Sequence, residues 1–331
     1  MLRSITAADP QQMARALAGL RAYQEAERQP PPPLMPAVAE ARGAVLRDYG
    51  GGGPPLLFVP SLINPPNVLD LGEERSMLRW FAARHFRVLL LDWGGDSEAR
   101  NAMSAGDHVD EIIVPLIRSL DRPPALVGYC LGGTMALAAV ALAPVAKVAT
   151  IAAPWHFSAY PEQGRAMLRR MWESALPAVA TLGVLPMEIL QSAFWSLDPA
   201  RTVGKFAAFA AMAPGSAEAR AFVTLEDWAN DGPPIAAAAA REMFEDFIAA
   251  DRPGRGEWRV GGHVVDPAAL PCPLLNIVST HDRIVPHASA IRAGERIDLD
   301  HGHVGMVAGS HARRDLWEPL AAWLSSPAPS C

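Results

Sequence analysis

Pro124-Ala-Leu-Val-Gly-Tyr-Cys-Leu-Gly-Gly-Thr134 is the stretch whose reading decides the fold. Ala125 to Val127 read as the end of a buried strand. Thr134 to Leu142, rich in Ala, Leu and Val, read as a buried helix. Between them lies Gly128-Tyr129-Cys130-Leu131-Gly132, a Gly-x-nucleophile-x-Gly pattern with cysteine at its centre. A strand that turns sharply into a helix needs glycine on both sides, because a Cβ there would clash. The central residue then sits on a strained turn at the carboxyl end of a sheet. The N-terminus of the following helix points at the sulfur and favours a thiolate. The competing reading is a buried structural cysteine in a glycine turn.

Outward from this turn the chain alternates strands and helices. Upstream, Leu56–Val59 reads as a short core strand and Ser76–His85 as a helix. Val88–Leu91 is a second strand, ending in Asp92-Trp93-Gly94-Gly95, and Asp110–Leu120 is a helix. Downstream, Val148–Ile151, Leu274–Val278 and Arg296–Leu299 are further strands, and Leu316–Leu324 is a closing amphipathic helix. Short links between such elements predict a mostly parallel sheet with helices on both faces. Val45–Tyr49 reads as an edge strand. Asp9–Glu27 has helical spacing, with Asp9 as cap and Pro10 in the first turn. A proline run, Gln29 to Leu34, ends it as a semi-rigid spacer.

From Pro154 to about Pro271 the strand signal stops. Apolar residues recur at helical spacing in 165–176, 187–195, 203–212 and 236–249, and Val260–Val265 reads as a hairpin arm. Dense aromatics here are expected mostly as core. The domain expectation is therefore an N-terminal helix and linker (1–50), an α/β core (51–153 and 272–325) and a helical cap (154–271). Ser325–Cys331 is expected as a loose tail.

Composition limits the function classes. The chain has 331 residues, half of them apolar, and a net charge of −6. No basic cluster suggests nucleic acid. The three cysteines, Cys130, Cys272 and Cys331, are scattered, so neither a disulfide framework nor a metal site is expected. Cys272 is expected as inert packing. A reducing, cytoplasmic setting fits, and no signal peptide is read at the N-terminus. The long uncharged run 123–146 could be taken for a membrane span. Its glycines, Pro144 and Cys130 fit a strand, turn and helix better.

A chemical constellation follows from order. Cys130, Asp282 and His303 each fall just after an expected strand. Nucleophile, acid and histidine in that sequence is the order of the α/β-hydrolase fold. His303 would take the thiol proton and return one to the leaving group. Asp282 would fix the imidazole tautomer. His301 is the rival histidine, but Gly302 and Val304-Gly305 place His303 on the tighter loop. Asp300 is a turn residue of that same loop, and His281 and His287 are expected at the surface. The oxyanion donors are expected to be the backbone amide of Leu131 and, from the loop Pro60–Leu71, that of Leu62 or Ile63.

The chain resembles the polyhydroxyalkanoate synthases, in the short form that works with a second subunit. The match is carried by Pro60-Ser-Leu-Ile-Asn-Pro-Pro-Asn-Val-Leu-Asp-Leu71, Leu91-Asp-Trp-Gly94, Gly128-Tyr-Cys-Leu-Gly-Gly-Thr134 and Leu225-Glu-Asp-Trp228. Cys272-Pro-Leu-Leu-Asn-Ile277, His281-Asp-Arg-Ile-Val-Pro286 and Gly302-His-Val-Gly305 complete it. The resemblance implies Cys130 as the acylated nucleophile and His303 as its base. It implies Asp282 as the group that helps activate the 3-hydroxyl of the incoming unit. The implied substrate is a (3R)-hydroxyacyl-CoA thioester, with CoA released, a polyester chain grown and no metal or other cofactor. Granule association, a partner subunit and a homodimer are also implied.

The chain departs from the family at Ala153-Pro-Trp-His156-Phe157, where an aspartate usually precedes the phenylalanine. The alternative reading is a cysteine hydrolase, a thioesterase or an intracellular polyester depolymerase, with water as acceptor. A third is a non-catalytic granule-binding or partner-binding protein, against which the intact Cys130, Asp282 and His303 set argues.

Overall fold

The structure, a computed structural model, describes residues 6, 9–28, 30–95 and 98–327. Among the described residues, eight strands form one sheet. They are β1 (Ala37–Ala41), β2 (Ala44–Gly50), β3 (Pro55–Val59), β4 (Arg87–Asp92), β5 (Ala125–Tyr129), β6 (Lys147–Ile151), β7 (Leu274–Ser279) and β8 (Glu295–Leu299). Their spatial order is β1-β2-β4-β3-β5-β6-β7-β8. β1 and β2 form an antiparallel hairpin, and β2 is also antiparallel to β4. From β4 to β8 every pair is parallel. The fold is thus an α/β-hydrolase fold, a mostly parallel sheet with helices.

The strands read as they do because of what they bury. All five residues of β3 and of β6 are buried, as a parallel strand covered on both faces requires. Each large aliphatic side chain withdrawn from water there contributes roughly 1.5–3 kcal/mol. The run 123–146 is β5 and the buried helix Leu131–Val140. No helix of the described residues is long and apolar enough to cross a membrane.

Two details differ from expectation. β2 is not an edge strand, because β1 covers it on one side and β4 on the other. β1 was hidden by its composition, Ala-Val-Ala-Glu-Ala, with its residues largely exposed. The signal for it is the Arg42-Gly43 turn, with both residues at positive φ (52° and 78°) as a two-residue hairpin turn demands. In the 154–271 stretch the helix Ala217–Asn230, capped by Ser216, was also not anticipated.

The chain divides into two compact units. The larger comprises Leu34–Met187 and Pro233–Cys331 and holds the whole sheet. The smaller joins Met1–Pro33 to Glu188–Gly232. The stretch expected as a cap is thus shared between the units, and the N-terminal helix groups with its middle part.

In the smaller unit the helix α1 (Pro10–Glu25) begins as expected, with Asp9 Oδ1 accepting the Gln12 amide at 2.9 Å. Gly19 lies so close to the helix Pro199–Phe209 that an added Cβ would sit 1.8 Å from the Phe206 carbonyl oxygen. Tyr23, Phe206, Phe209 and Phe222 form one aromatic cluster, with Phe209 and Phe222 stacked at 4.4 Å. Tyr23 Oη donates to Asp227 Oδ1 at 2.6 Å, and the Arg28 guanidinium grips the same carboxylate. The buried Glu226 is paired with Lys205 at 2.6 Å. Two residues of the motif Leu225-Glu-Asp-Trp228 therefore tie this helical unit together.

In the larger unit a second aromatic cluster joins Trp155, Phe157, Phe247 and Trp258, with centroids 5.0–6.0 Å apart. Trp172 stacks on Phe244 at 5.1 Å. These aromatics are core, as expected for most of them.

Candidate active site

The site begins at the elbow. Cys130 has φ 55° and ψ −130°, a strained turn between β5 and the helix Leu131–Val140. The turn is held by backbone bonds from Cys130 N to the Ile151 carbonyl (2.9 Å) and from Gly133 N to the Cys130 carbonyl (2.8 Å). A Cβ on Gly128 would lie 2.4 Å from Gly133 Cα. One on Gly132 would lie 2.2 Å from the Val59 oxygen and 2.4 Å from that of Pro60. The two glycines thus let the strand, the helix and the loop after β3 meet at one point.

Asp282 and His303 arrive from the next two parallel strands. Asp282 lies three residues beyond β7, and its Oδ1 accepts the amides of Ile284 (2.7 Å) and Val285 (3.0 Å). His303 lies four residues beyond β8. Its Nδ1 donates to Asp282 Oδ2 at 2.5 Å. The pair is withdrawn from water, with 9% of the His303 side chain and none of the Asp282 side chain exposed. With Nδ1 committed to a carboxylate, Nε2 is the nitrogen left for chemistry.

Electrostatics follow from this packing. Burial disfavours the imidazolium, but the charges of Asp282 and Cys130 and hydrogen bonds to both outweigh it. The balance pushes His303 up from 6.5 to about 10. Three of the expected site residues, Cys130, Asp282 and His303, are therefore brought into one buried cluster.

The remaining expectations divide. Leu131 opens the helix after Cys130, in the first turn, whose amides have no partner within a helix. The Ile63 amide donates to Ser61 Oγ at 3.2 Å, so it is already engaged. His301 is turned elsewhere, with its Nε2 on Asp315 Oδ2 at 2.7 Å. Asp300 is an exposed partner of the exposed His281, and His287 is also exposed. Cys272 is half-buried, and burial pushes its thiol up to about 11, which suits inert packing. Cys331 lies outside the described residues.

At the departure after β6, the amides of Trp155 and His156 both donate to the Ser289 carbonyl, at 2.8 and 2.9 Å. The Phe157 amide is capped by the buried Asp251 Oδ1 at 2.8 Å. Burial and the nearby Arg292 push His156 below its ordinary value. Its imidazole is therefore neutral at neutral pH.

Two tyrosines at this site were not anticipated. Tyr129 is the variable residue of the elbow pattern. Its Oη donates to the His303 carbonyl at 3.2 Å, and its ring lies 5.0 Å from the imidazole. Tyr160, stacked on Phe157, feels the charges of Cys130 and Asp282. Burial first, and then those charges, raise both phenols well above their usual range. Neither carries a motif by which sequence reading could have found it.

Comparison with known proteins bears on the fold. The α/β-hydrolase fold family matches residues 54–303. A poly(3-hydroxyalkanoate) polymerase subunit, PhaC, of Haloarcula marismortui is 28% identical over 87% of this chain and 64% of its own length. The PhaC subunit of Allochromatium vinosum is 29% identical over 82% of this chain and 80% of its own. The chain thus spans less than two thirds of the haloarchaeal relative. Among solved structures, the esterase RhEst1 from Rhodococcus superposes with a TM-score of 0.54 at 15% identity, covering 89% of this chain and 99% of the esterase. That likeness is one of fold. The chain is similar to these polyester polymerase subunits, and it belongs to the α/β-hydrolase fold family.

Proposed function

We propose that the protein is an acyltransferase that polymerises (3R)-hydroxyacyl units from CoA thioesters through an acyl-Cys130 intermediate. The observation that carries this reading is the buried cluster of Cys130, Asp282 and His303, with His303 Nδ1 on Asp282 and Cys130 at the elbow. Similarity to polyester polymerase subunits along more than four fifths of the chain supports the substrate class.

In the first half-reaction the Cys130 sulfur attacks the thioester carbonyl. The carbonyl electrons move to oxygen, where the Leu131 and Leu62 amides are the candidate donors. The carbon–sulfur bond to CoA then breaks. His303, whose imidazole holds its proton tightly, supplies that proton to the departing CoA thiolate. Exchange of one thioester for another is close to isoenergetic, which suits a cysteine here.

In the second half-reaction the 3-hydroxyl of an acceptor attacks acyl-Cys130. His303 Nε2 takes the hydroxyl proton, an ester forms and the cysteine sulfur leaves. Asp282 has no exposed side-chain surface and both its oxygens are occupied. It therefore helps activate the hydroxyl through the imidazole, by fixing the tautomer and stabilising the cation.

The test is incubation of the purified protein with (3R)-hydroxybutyryl-CoA, following CoA and the acyl group together. CoA release with polyester of high mass supports the proposal. CoA release with free hydroxy acid alone, with and without added partner subunit, identifies a hydrolase and overturns it.

A further inference from the structure

A cleft in the larger unit is lined by none of Cys130, Asp282 and His303, although Leu62, a candidate oxyanion donor, stands on its wall. It is partly open to solvent. Leu62, Trp93, Asn101, His108 and Ala239 line it, with the 233–236 segment opposite. It shares a wall with the elbow, because Leu62 belongs to the loop whose Pro60 carbonyl packs on Gly132. The Trp93 indole N–H donates to that same carbonyl at 3.2 Å.

The polar groups of the cleft are specific. His108 is 4% exposed, and its Nδ1 donates to the Ser104 carbonyl at 2.7 Å. A carbonyl can only accept, so Nδ1 carries the proton and Nε2 presents a lone pair. The ring is fixed edge-on against Trp93, with centroids 5.8 Å apart. Burial, with Arg100 nearby, keeps the ring neutral. Arg100 is the only charged side chain among the described lining residues, and its guanidinium is held by the carbonyls of Trp93 and Gly95. The Asn101 amide supplies donors. The walls are otherwise indole, proline, leucine, isoleucine, alanine and glycine.

Beyond Arg100 the cleft presents only neutral groups. It offers a lone pair to a hydroxyl and an amide N–H to a carbonyl, against apolar walls. We propose that it binds the hydroxyl end of a short neutral oligoester, His108 Nε2 accepting from the terminal hydroxyl and Asn101 donating to an ester carbonyl. The proposal rests on the polyester-forming reading of the active site and adds to it a second place where the product chain is held.

The test is titration calorimetry in the Cys130→Ala background, so that no ester is consumed. The probe is the methyl ester of the hydroxyl-terminated trimer of (3R)-hydroxybutyrate. The control is the same trimer with its hydroxyl acetylated, and pantetheine is the competitor. The hydroxyl-terminated trimer is expected to bind about tenfold more tightly than the capped one, the worth of one neutral hydrogen bond. His108→Phe, close in volume, should erase that preference. Ala239→Leu and Asn101→Leu should weaken both trimers, which keeps the proposal testable if His108→Phe does not fold.

Equal affinity for the two trimers, no binding of either, preference for pantetheine, or a preference that survives His108→Phe would overturn the proposal. The titration involves no turnover. A protein that bound the trimer yet yielded only free hydroxy acid from the thioester would keep this cleft and lose the polymerase reading.

Discussion

His303 Nδ1 lies 2.5 Å from Asp282 Oδ2, and the two side chains reach each other from the ends of adjacent parallel strands. The register of β7 and β8 pairs Ser279 with Leu299, so both loops leave the sheet at the same level. This contact fixes which imidazole nitrogen faces the cysteine. Several consequences can be measured.

Replacing the acid should move the base. Asp282→Asn removes the charge that opposes the burial penalty on His303. The imidazole pKa, read from its ring proton shifts, should fall from about 10 toward its ordinary value. Acyl transfer should drop by at least about a hundredfold. An unmoved titration would show that another group sets it.

The same shift makes stability depend on pH. The folded-state value of His303 is raised from 6.5 to about 10, so the folded chain holds a proton that the unfolded chain releases. The stabilisation is complete below about pH 6.5 and is lost as pH rises toward 10. Melting temperature should therefore decline across that window, and less steeply in His303→Gln.

The elbow glycine should be intolerant. In Gly132→Ala the new Cβ would meet two backbone carbonyl oxygens within 2.4 Å, neither the tip of a flexible side chain. Overpacking of this kind costs roughly 1–3 kcal/mol. Chemical denaturation should show a loss of that size, and activity should fall further because the loop after β3 must move.

Tyr129→Phe removes the bond to the His303 carbonyl and keeps the ring. A loss of about 1 kcal/mol in stability is expected, with kcat lowered and KM little changed. Unchanged stability and rate would leave Tyr129 as packing alone.

In the smaller unit the Lys205–Glu226 pair has one buried partner. Lys205→Met strands the carboxylate and should destabilise that unit by roughly 3 kcal/mol. The double change with Glu226→Leu should recover most of the loss, read from denaturant unfolding.

Much of this site was legible in the sequence, for a physical reason. A nucleophile elbow needs particular glycines beside a buried strand, and acid and histidine must follow strand ends. Cys130, Asp282 and His303 are therefore tied to local patterns. What escaped lacks such ties. β1 is an exposed Ala-rich strand that pairs only because β2 offers it an edge. The Ile63 amide contacts Ser61 Oγ two residues earlier, a local bond that the sequence does not announce. Tyr129 and His108 act through tertiary neighbours more than a dozen residues away or through a cleft that no local spacing announces. The grouping of α1 with residues 188–232 likewise depends on long-range contacts such as Tyr23 with Asp227.

The most direct measurement is the intact mass of the protein, quenched in acid milliseconds to seconds after mixing with (3R)-hydroxybutyryl-CoA, followed by peptide mapping. The account predicts one hydroxybutyryl group, or a short oligomer of it, on the peptide holding Cys130, formed in step with CoA release and absent in Cys130→Ala. CoA released at full rate by Cys130→Ala, or an acyl group carried on any other residue, would contradict it.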